Sequence, residues 1–328
     1  MEKKTKWGII GCGSIAHSFA AGLQVLEDCE LAAVASRSPG KAEAFAREFG
    51  VTVHYEDYES LVKNPEVDVI YVATTHNFHY ENTLLCLENN KPVLCEKAFT
   101  VNAKQAEHLI RTAREQKLFL MEAMWTRFLP ATVEIRRLLS EKVIGEVKML
   151  RADFGFVADP NPLGRMQNRN LAGGSLLDLG IYPISYARMV FGKQPARMQT
   201  FGHLNSTGVD DQAGYLFEYG TDQMALLSSS MIMQAPYDAL IAGTNGYIKL
   251  HDFFFPKGMT IKVGSEEEKA IEMPYESTGY NYEAREVNRC LREGLMESNL
   301  MPLDETLETM KTMDELRRCW GLRYPEEE

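Results

Sequence analysis

The sequence predicts an α/β chain in two parts: a doubly wound parallel sheet, then an α+β portion with a large, open, mostly antiparallel sheet. Three observations carry this. An apolar run, Trp7 to Ile10, passes straight into Gly11-x-Gly13-x-x-Ala16 and a helical face of Ile15, Phe19, Leu23 and Leu26. Short apolar runs then alternate with helical patterns up to residue 122, the signature of a parallel sheet covered by helices. From Ala196 to Ile271 strand follows strand, and two helices close the chain. The expected domains are therefore 1–122 and 123–328.

Composition narrows the functional classes. The 328 residues suffice for two domains, and a 45% hydrophobic share is ordinary for a globular protein. A net charge of −11 without a basic patch argues against nucleic acid as a partner. No apolar stretch has the length of a signal peptide or membrane span, so no membrane partner is expected. The six cysteines form no CxxC pair and read as reduced thiols of a cytoplasmic protein. Of the seven histidines only His76 and His79 are close together, and no metal site is expected.

The opening stretch reads as strand, tight turn and helix, a Rossmann arrangement. Gly11 allows the turn, Gly13 lets a pyrophosphate approach the backbone, and Ala16 lets the helix pack on the strand. The helix start at Ser14, Ile15 and Ala16 offers free N–H groups and a dipole to phosphate. The next strand, Glu30 to Ser36, ends where a carboxylate would take the ribose 2′-hydroxyl of NAD. Ser36-Arg37-Ser38 and Lys41 stand there instead, a hydroxyl and two cations suited to a 2′-phosphate. NADP is the expected cofactor, with NAD the second candidate. Ser38 also reads as a helix N-cap with Pro39 at the first helical position.

Val67 to Ala73 is a near-continuous apolar run, as in a buried parallel strand. Thr74 to His79 follows at the edge where ligands bind, with Thr74, His76 and His79 as cofactor-side candidates and Asn77 as a helix cap. Pro92 to Cys95 is the next strand, and Glu96-Lys97 stands at its end. Lys97 is placed for catalysis beside a nicotinamide, although a lysine at such a position is more often a solvated charge. Thr100 is expected to cap a helix over Val101 to Gln116, before a strand over Phe119 to Glu122.

Ala123 to Pro130 reads as a linker, Pro130 to Ser140 as a helix and Gly145 to Phe156 as a long strand. Val157 to Leu171, with Arg165 and Arg169, is polar and reads as a functional loop. Gly173-Gly174-Ser175 opens a helix carrying Asp178 and Tyr182, four apart and on one face. Pro183 removes the donor that would bond Leu179 and predicts irregularity there. Their alternative roles are a helix-start carboxylate and a core ring. The later strands are expected at 196–203, 212–219, 223–232, 236–242, 246–251 and 259–263, with a turn at Gly220-Thr221-Asp222. Met224, Leu226, Ser228 and Ser230 suggest one packed face and one more polar. Helices on one side only leave an open face.

Together these motifs resemble the Gfo/Idh/MocA oxidoreductases over essentially the whole chain. Met121 to Phe128 and Leu171 to Tyr182 are similar to the branch of dimeric dihydrodiol dehydrogenases and NADP-dependent D-xylose dehydrogenases. The resemblance implies a cleft between the domains, a homodimer through the second sheet, and catalytic roles for Lys97, Asp178 and Tyr182. It implies hydride transfer between NADP and a hydroxyl carbon of a sugar or cyclic trans-diol. Trp125, Phe154 and Arg169 are the candidates for the substrate wall. Ala98 stands where that family usually has proline after Glu-Lys, which predicts a looser presentation of Lys97. A non-catalytic NADP-binding regulator is the competing class, and the joint presence of Lys97, Asp178 and Tyr182 favours the enzyme.

Overall fold

The computed structural model describes residues 4–220 and 222–327. In chain order the elements begin β1 (Thr5–Ile10), α1 (Ser14–Leu23), β2 (Cys29–Ala35), α2 (Lys41–Phe49), β3 (Val53–Tyr55), α3 (Tyr58–Val62) and β4 (Val69–Val72). They continue α4 (His79–Glu88), β5 (Val93–Glu96), α5 (Ala103–Gln116), β6 (Leu120–Ala123), α6 (Pro130–Ser140), β7 (Val147–Gly155) and α7 (Ile181–Phe191). Then come β8 (Arg197–Leu204), β9 (Asp210–Glu218), β10 (Met224–Ser230), β11 (Ala239–Gly243), β12 (Gly246–Leu250), β13 (Gly258–Val263), β14 (Lys269–Glu272), α8 (Asn281–Arg292) and α9 (Leu303–Trp320). Packing yields two compact units, Met1–Phe128 with Glu276–Leu307, and Leu129–Tyr275 with Glu308–Glu328.

The first unit holds six parallel strands in the order β3-β2-β1-β4-β5-β6. Every residue of β4, β5 and β6 is buried, which explains their unbroken apolar character. Residues 276–307, in sequence the tail of the second part, pack here. The Trp7 indole N–H donates to Asn288 Oδ1 at 3.0 Å. At Gly22 of α1 an added Cβ would lie 2.8 Å from the backbone nitrogen of Asn281, so glycine lets α1 and α8 approach closely.

The second unit carries an eight-stranded sheet, β14-β13-β12-β11-β7-β10-β9-β8. All pairs are antiparallel except β7 with β10. The short edge strand β14 had no signal in the sequence; only Ile271 in it is partly covered. On one face Ala225, Leu227 and Ser229 of β10 are buried beneath α7 and the turn before it, and Trp320 covers Gly202. The opposite face shows Phe201, Leu216, Met224 and Leu226, between 42% and 76% exposed. The expected contrast of packed and polar faces is thus corrected: Met224 and Leu226 point outward, because both alternating sets in this strand are apolar.

Local expectations also change. The linker read over 123–130 is instead a buried 3₁₀ turn, Trp125–Phe128, leading into α6. The N-cap of α2 is Gly40, not Ser38, because Ser36 Oγ accepts the Ser38 N–H at 3.2 Å and draws that residue into a turn. Asn102 rather than Thr100 caps α5, accepting from the Gln105 N–H at 3.0 Å, while Thr100 Oγ1 donates to the Asn102 carbonyl at 2.8 Å. Asn77 caps nothing: its Oδ1 accepts from Thr75 Oγ1 at 2.7 Å. Leu26 lies beyond α1, though it is buried. Thr221 of the expected 220–222 turn lies outside the described residues. Among the described residues no helix is long and apolar enough to cross a membrane.

Candidate active site

In the first unit the site grows from the turn after β1. Gly11 has φ +94°, and a Cβ there would sit 2.8 Å from the Ala73 carbonyl oxygen, so only glycine closes this turn against β4. Gly13, the N-cap of α1, would place its Cβ in open space. No side chain caps the N–H groups at the start of α1, whose first turn carries no acidic residue; the His17 Nδ1 bonds the Gly13 carbonyl instead, at 2.8 Å. Ser14 is exposed, Ile15 half-buried and Ala16 buried against the sheet. An open space facing uncapped N–H groups fits a pyrophosphate.

At the end of β2, Ser36 is buried and Arg37 projects. The Arg37 guanidinium lies 5.0 Å from the Tyr58 ring centre and 4.6 Å from that of Phe78, and pairs with Glu81 at 3.6 Å. Two rings therefore set its direction. Lys41 is exposed at the first position of α2.

After β4 the chain forms a 3₁₀ turn, His76–Phe78, and enters α4. His79 is completely buried; its Nδ1 bonds the Ala98 carbonyl at 2.8 Å and its Nε2 the Thr74 carbonyl at 3.0 Å. Buried His76 packs edge-on to it, and Thr74 Oγ1 accepts from Asn82 Nδ2 at 3.2 Å. His79 thus clamps the turn after β4 to the bend after β5. That corrects the expectation of looseness at Ala98, which is fully buried and held by this bond; the Lys97–Ala98 peptide is cis. Glu96 is buried, accepting from the Tyr71 hydroxyl and, at 3.2 Å, from the Lys97 N–H, while Lys97 itself is half-buried. Trp125 stacks on Tyr280, ring centres 4.6 Å apart.

In the second unit, Leu176–Gly180 is a π turn running into α7. The Ile181 N–H reaches back five residues to the Leu176 carbonyl. Pro183 cannot bond the Leu179 carbonyl and its ring crowds it, and the widened turn relieves that. Asp210 Oδ2 accepts the Leu176 N–H at 2.6 Å, and Ser175 Oγ donates to Ser229 Oγ at 2.7 Å, fixing the turn to the sheet. Buried Asp178 accepts from Arg165 at 2.9 Å, whereas Arg169 Nε donates to the Arg323 carbonyl at 2.7 Å. Tyr182 lies edge-on to Phe154, ring centres 5.3 Å apart, and to Phe254 at 5.5 Å. Phe154 and Phe254 stack at 4.1 Å, and Tyr237 closes the group against both.

Phe254, Tyr237 and Tyr280 were not singled out in the sequence. The Phe253-Phe254-Phe255 run between strands was the visible signal for the first. Tyr237, at φ +59°, had none, since backbone conformation at a bulky residue is not written in a pattern.

Residues 5–124 match the oxidoreductase family described as having an NAD-binding Rossmann fold, and residues 132–249 match the Gfo/Idh/MocA C-terminal domain. The chain belongs to the Gfo/Idh/MocA oxidoreductase family. It is 39% identical to the trans-1,2-dihydrobenzene-1,2-diol dehydrogenase of Xenopus tropicalis, over 98% of this chain and 99% of that one. The Homo sapiens enzyme of the same name is 35% identical over 98% of each chain. Among solved structures, a 3-ketoreductase from Actinomadura kijaniata in complex with NADP and TDP-benzene is similar with a TM-score of 0.85 and 25% identity, covering 96% of this chain and 98% of that one. An aldose–aldose oxidoreductase from Caulobacter crescentus shares the fold, with a TM-score of 0.89 at 22% identity over 96% and 97% of the two chains. Within this Gfo/Idh/MocA protein, the first unit supplies the dinucleotide-binding Rossmann fold of an oxidoreductase.

Proposed function

We propose that this protein is an NADP-dependent dehydrogenase that oxidises a hydroxyl carbon of a cyclic trans-diol or sugar. The observation that carries the substrate reading is the aromatic group of Phe154, Phe254 and Tyr237 around Tyr182. Aromatic faces offer apolar surface to a ring, while the Tyr182 hydroxyl offers a proton-exchanging group beside them. The name of the curated relatives, trans-1,2-dihydrobenzene-1,2-diol dehydrogenase, supports the diol side of this class.

The nicotinamide, when bound, supplies the hydride chemistry. The start of α1 and Gly13 hold the pyrophosphate, and Ser36, Arg37 and Lys41 take the 2′-phosphate. Thr74, His76, His79 and Glu96 shape the nicotinamide side. Tyr182 exchanges the proton of the substrate hydroxyl. Tyrosine titrates near 10 in water, so it needs a cation to act at neutral pH, and the Lys97 ammonium has that role. Asp178, held by Arg165, orients the polar end of the substrate. Trp125 and Phe154 serve as substrate wall. Arg169, bonded to a backbone carbonyl, anchors the loop before the π turn. The apolar open face of the second sheet suits a homodimer.

Steady-state assays with trans-cyclohexane-1,2-diol, D-xylose, D-glucose and myo-inositol against lactate test the reading. The ring substrates should be turned over and lactate should not. Lys97→Met and Tyr182→Phe should each lower kcat by about 100-fold or more. Turnover of lactate in preference, or near-normal rates in both variants, would remove the proposal.

A further inference from the structure

In the second unit the segment after α9 turns back onto the loop that leads into α7. Gly321 ends the helix at φ +74°, and the Leu322 N–H bonds the Arg317 carbonyl at 3.0 Å. Tyr324, three residues on from Gly321, is completely buried. Its N–H donates to Glu327 Oε2 at 2.9 Å. Glu327 also accepts a forked pair from the buried Arg317 guanidinium, at 2.7 and 2.9 Å. That guanidinium lies 5.0 Å from the centre of the Tyr324 ring. A forked ion pair fixes direction as well as distance, so backbone and ring of Tyr324 are both held. Its hydroxyl then donates to the Gly173 carbonyl at 2.6 Å. The same segment makes a second bond to the loop, from Arg169 Nε to the Arg323 carbonyl at 2.7 Å.

Gly173 is where the loop doubles back on itself. Its N–H bonds the Asn168 carbonyl at 3.1 Å, and the Gly174 N–H bonds the Met166 carbonyl at 2.9 Å. A Cβ on Gly173 would lie 2.6 Å from the carbonyl oxygens of both Arg165 and Met166. The Gly173 backbone therefore rests directly on the Arg165 peptide. From that peptide the Arg165 side chain reaches buried Asp178 at 2.9 Å. This side chain is long and 44% exposed. Holding it in one conformation costs rotamer freedom, so its grip on Asp178 depends on where its backbone is fixed. The Tyr324 hydroxyl thus stands two contacts away from Asp178, through Gly173 and then Arg165.

We propose that Tyr324 is a positioning residue: by holding the Gly173 carbonyl, its hydroxyl fixes the backbone from which Arg165 reaches Asp178, and so sets how Asp178 meets the substrate. The inference rests on the role given to Asp178 above. The ring of Tyr324 fills space that phenylalanine would fill equally. The hydroxyl is what reaches the loop, and small misplacements of a group that orients substrate are costly in rate.

A double-mutant cycle on the full chain separates positioning from plain packing. Tyr324→Phe keeps the ring and removes one hydrogen bond. It should lower kcat/KM for trans-cyclohexane-1,2-diol, and weaken binding of that diol to the enzyme–NADP complex, by about 3- to 10-fold, the scale of one such bond. In an Arg165→Met background the same change should have no further effect on either quantity, because the link to Asp178 is already cut. Reading the cycle in diol binding keeps it measurable where Arg165→Met has little turnover. Arg169→Met removes the second bond to the segment and should act in the same direction, again silently in the Arg165→Met background. It decides the matter if Tyr324→Phe fails to fold. Parent-like kinetics and diol binding in Tyr324→Phe, or its full effect persisting in the Arg165→Met background, would overturn the inference and leave the functional reading standing. A parent that neither binds nor turns over any ring substrate would overturn that reading, and this proposal with it.

Discussion

Gly11 and Gly13 stand two residues apart, yet their replacement by alanine should fail in different ways. At Gly11 the methyl would meet the Ala73 carbonyl at 2.8 Å while the backbone holds φ at +94°. The backbone conformation costs about 1–3 kcal/mol for an L side chain, and the unavoidable contact adds about 1–3 kcal/mol. At about 2–4 °C per kcal/mol, Gly11→Ala should lower the melting temperature by roughly 5–20 °C. Gly13 has φ −88° and ψ −178°, open to any residue, and its Cβ meets nothing within 4 Å. Stability of Gly13→Ala should stay within about 0.5 kcal/mol of the parent. Its methyl would occupy the space assigned to the pyrophosphate, a crowding of about 1–3 kcal/mol, or roughly 5- to 150-fold in Kd. Thermal melts and fluorescence titration with NADPH measure the two quantities separately. Parent-like cofactor affinity in Gly13→Ala would refute the placement of the phosphates, and a melting loss equal to that of Gly11→Ala would refute the geometric argument.

Three further outcomes are expected. Arg37→Ala should weaken NADP by about 10- to 100-fold, the scale of lost charge-assisted bonds, and leave NAD nearly unchanged in the same titration. Light scattering should give about twice the 37.1 kDa chain mass for the parent, and the single mass for Leu226→Glu, which sets a charge in the middle of the apolar face. The carboxyl of Asp210 is raised by burial to about 8, against about 3.9 when unfolded. Between these values the folded state binds the extra proton, so its stabilising contribution is complete below about pH 4 and is lost as pH rises toward 8. The melting temperature of the parent should therefore fall relative to Asp210→Asn between about pH 5 and 8, and parallel curves would count against that assignment.

What could be read in the sequence was what neighbouring residues decide among themselves. Gly11 and Gly13 sit in a strand–turn–helix whose parts lie within twenty residues, and Pro183 announced the irregular turn through its own missing N–H. The start of α2 was misread because Ser38 was judged as a cap by type, whereas the Ser36 hydroxyl engages its N–H first. Glu283 was invisible as a fully buried carboxyl, because a charged residue on the first turn of α8 reads as a solvated helix-start acid. The aromatic group around Tyr182 likewise gathers residues 154, 182, 237 and 254, from a strand, a helix and two connections, brought together by tertiary packing rather than by spacing. The outward direction of Leu226 was undecidable where both alternating sets are apolar.

The return of residues 276–307 to the first unit has a consequence for synthesis. Trp7 waits for Asn288, a partner 281 positions later, and Gly22 waits for the start of α8. The six-stranded sheet can emerge early from the ribosome, but α1 remains bare on one flank until most of the chain has been made. A nascent chain of about 150 residues should therefore be cut readily by protease near α1 and be held by chaperones. Protection there should arrive only once α8 has cleared the exit tunnel, well after the strands of the second unit have begun to pair.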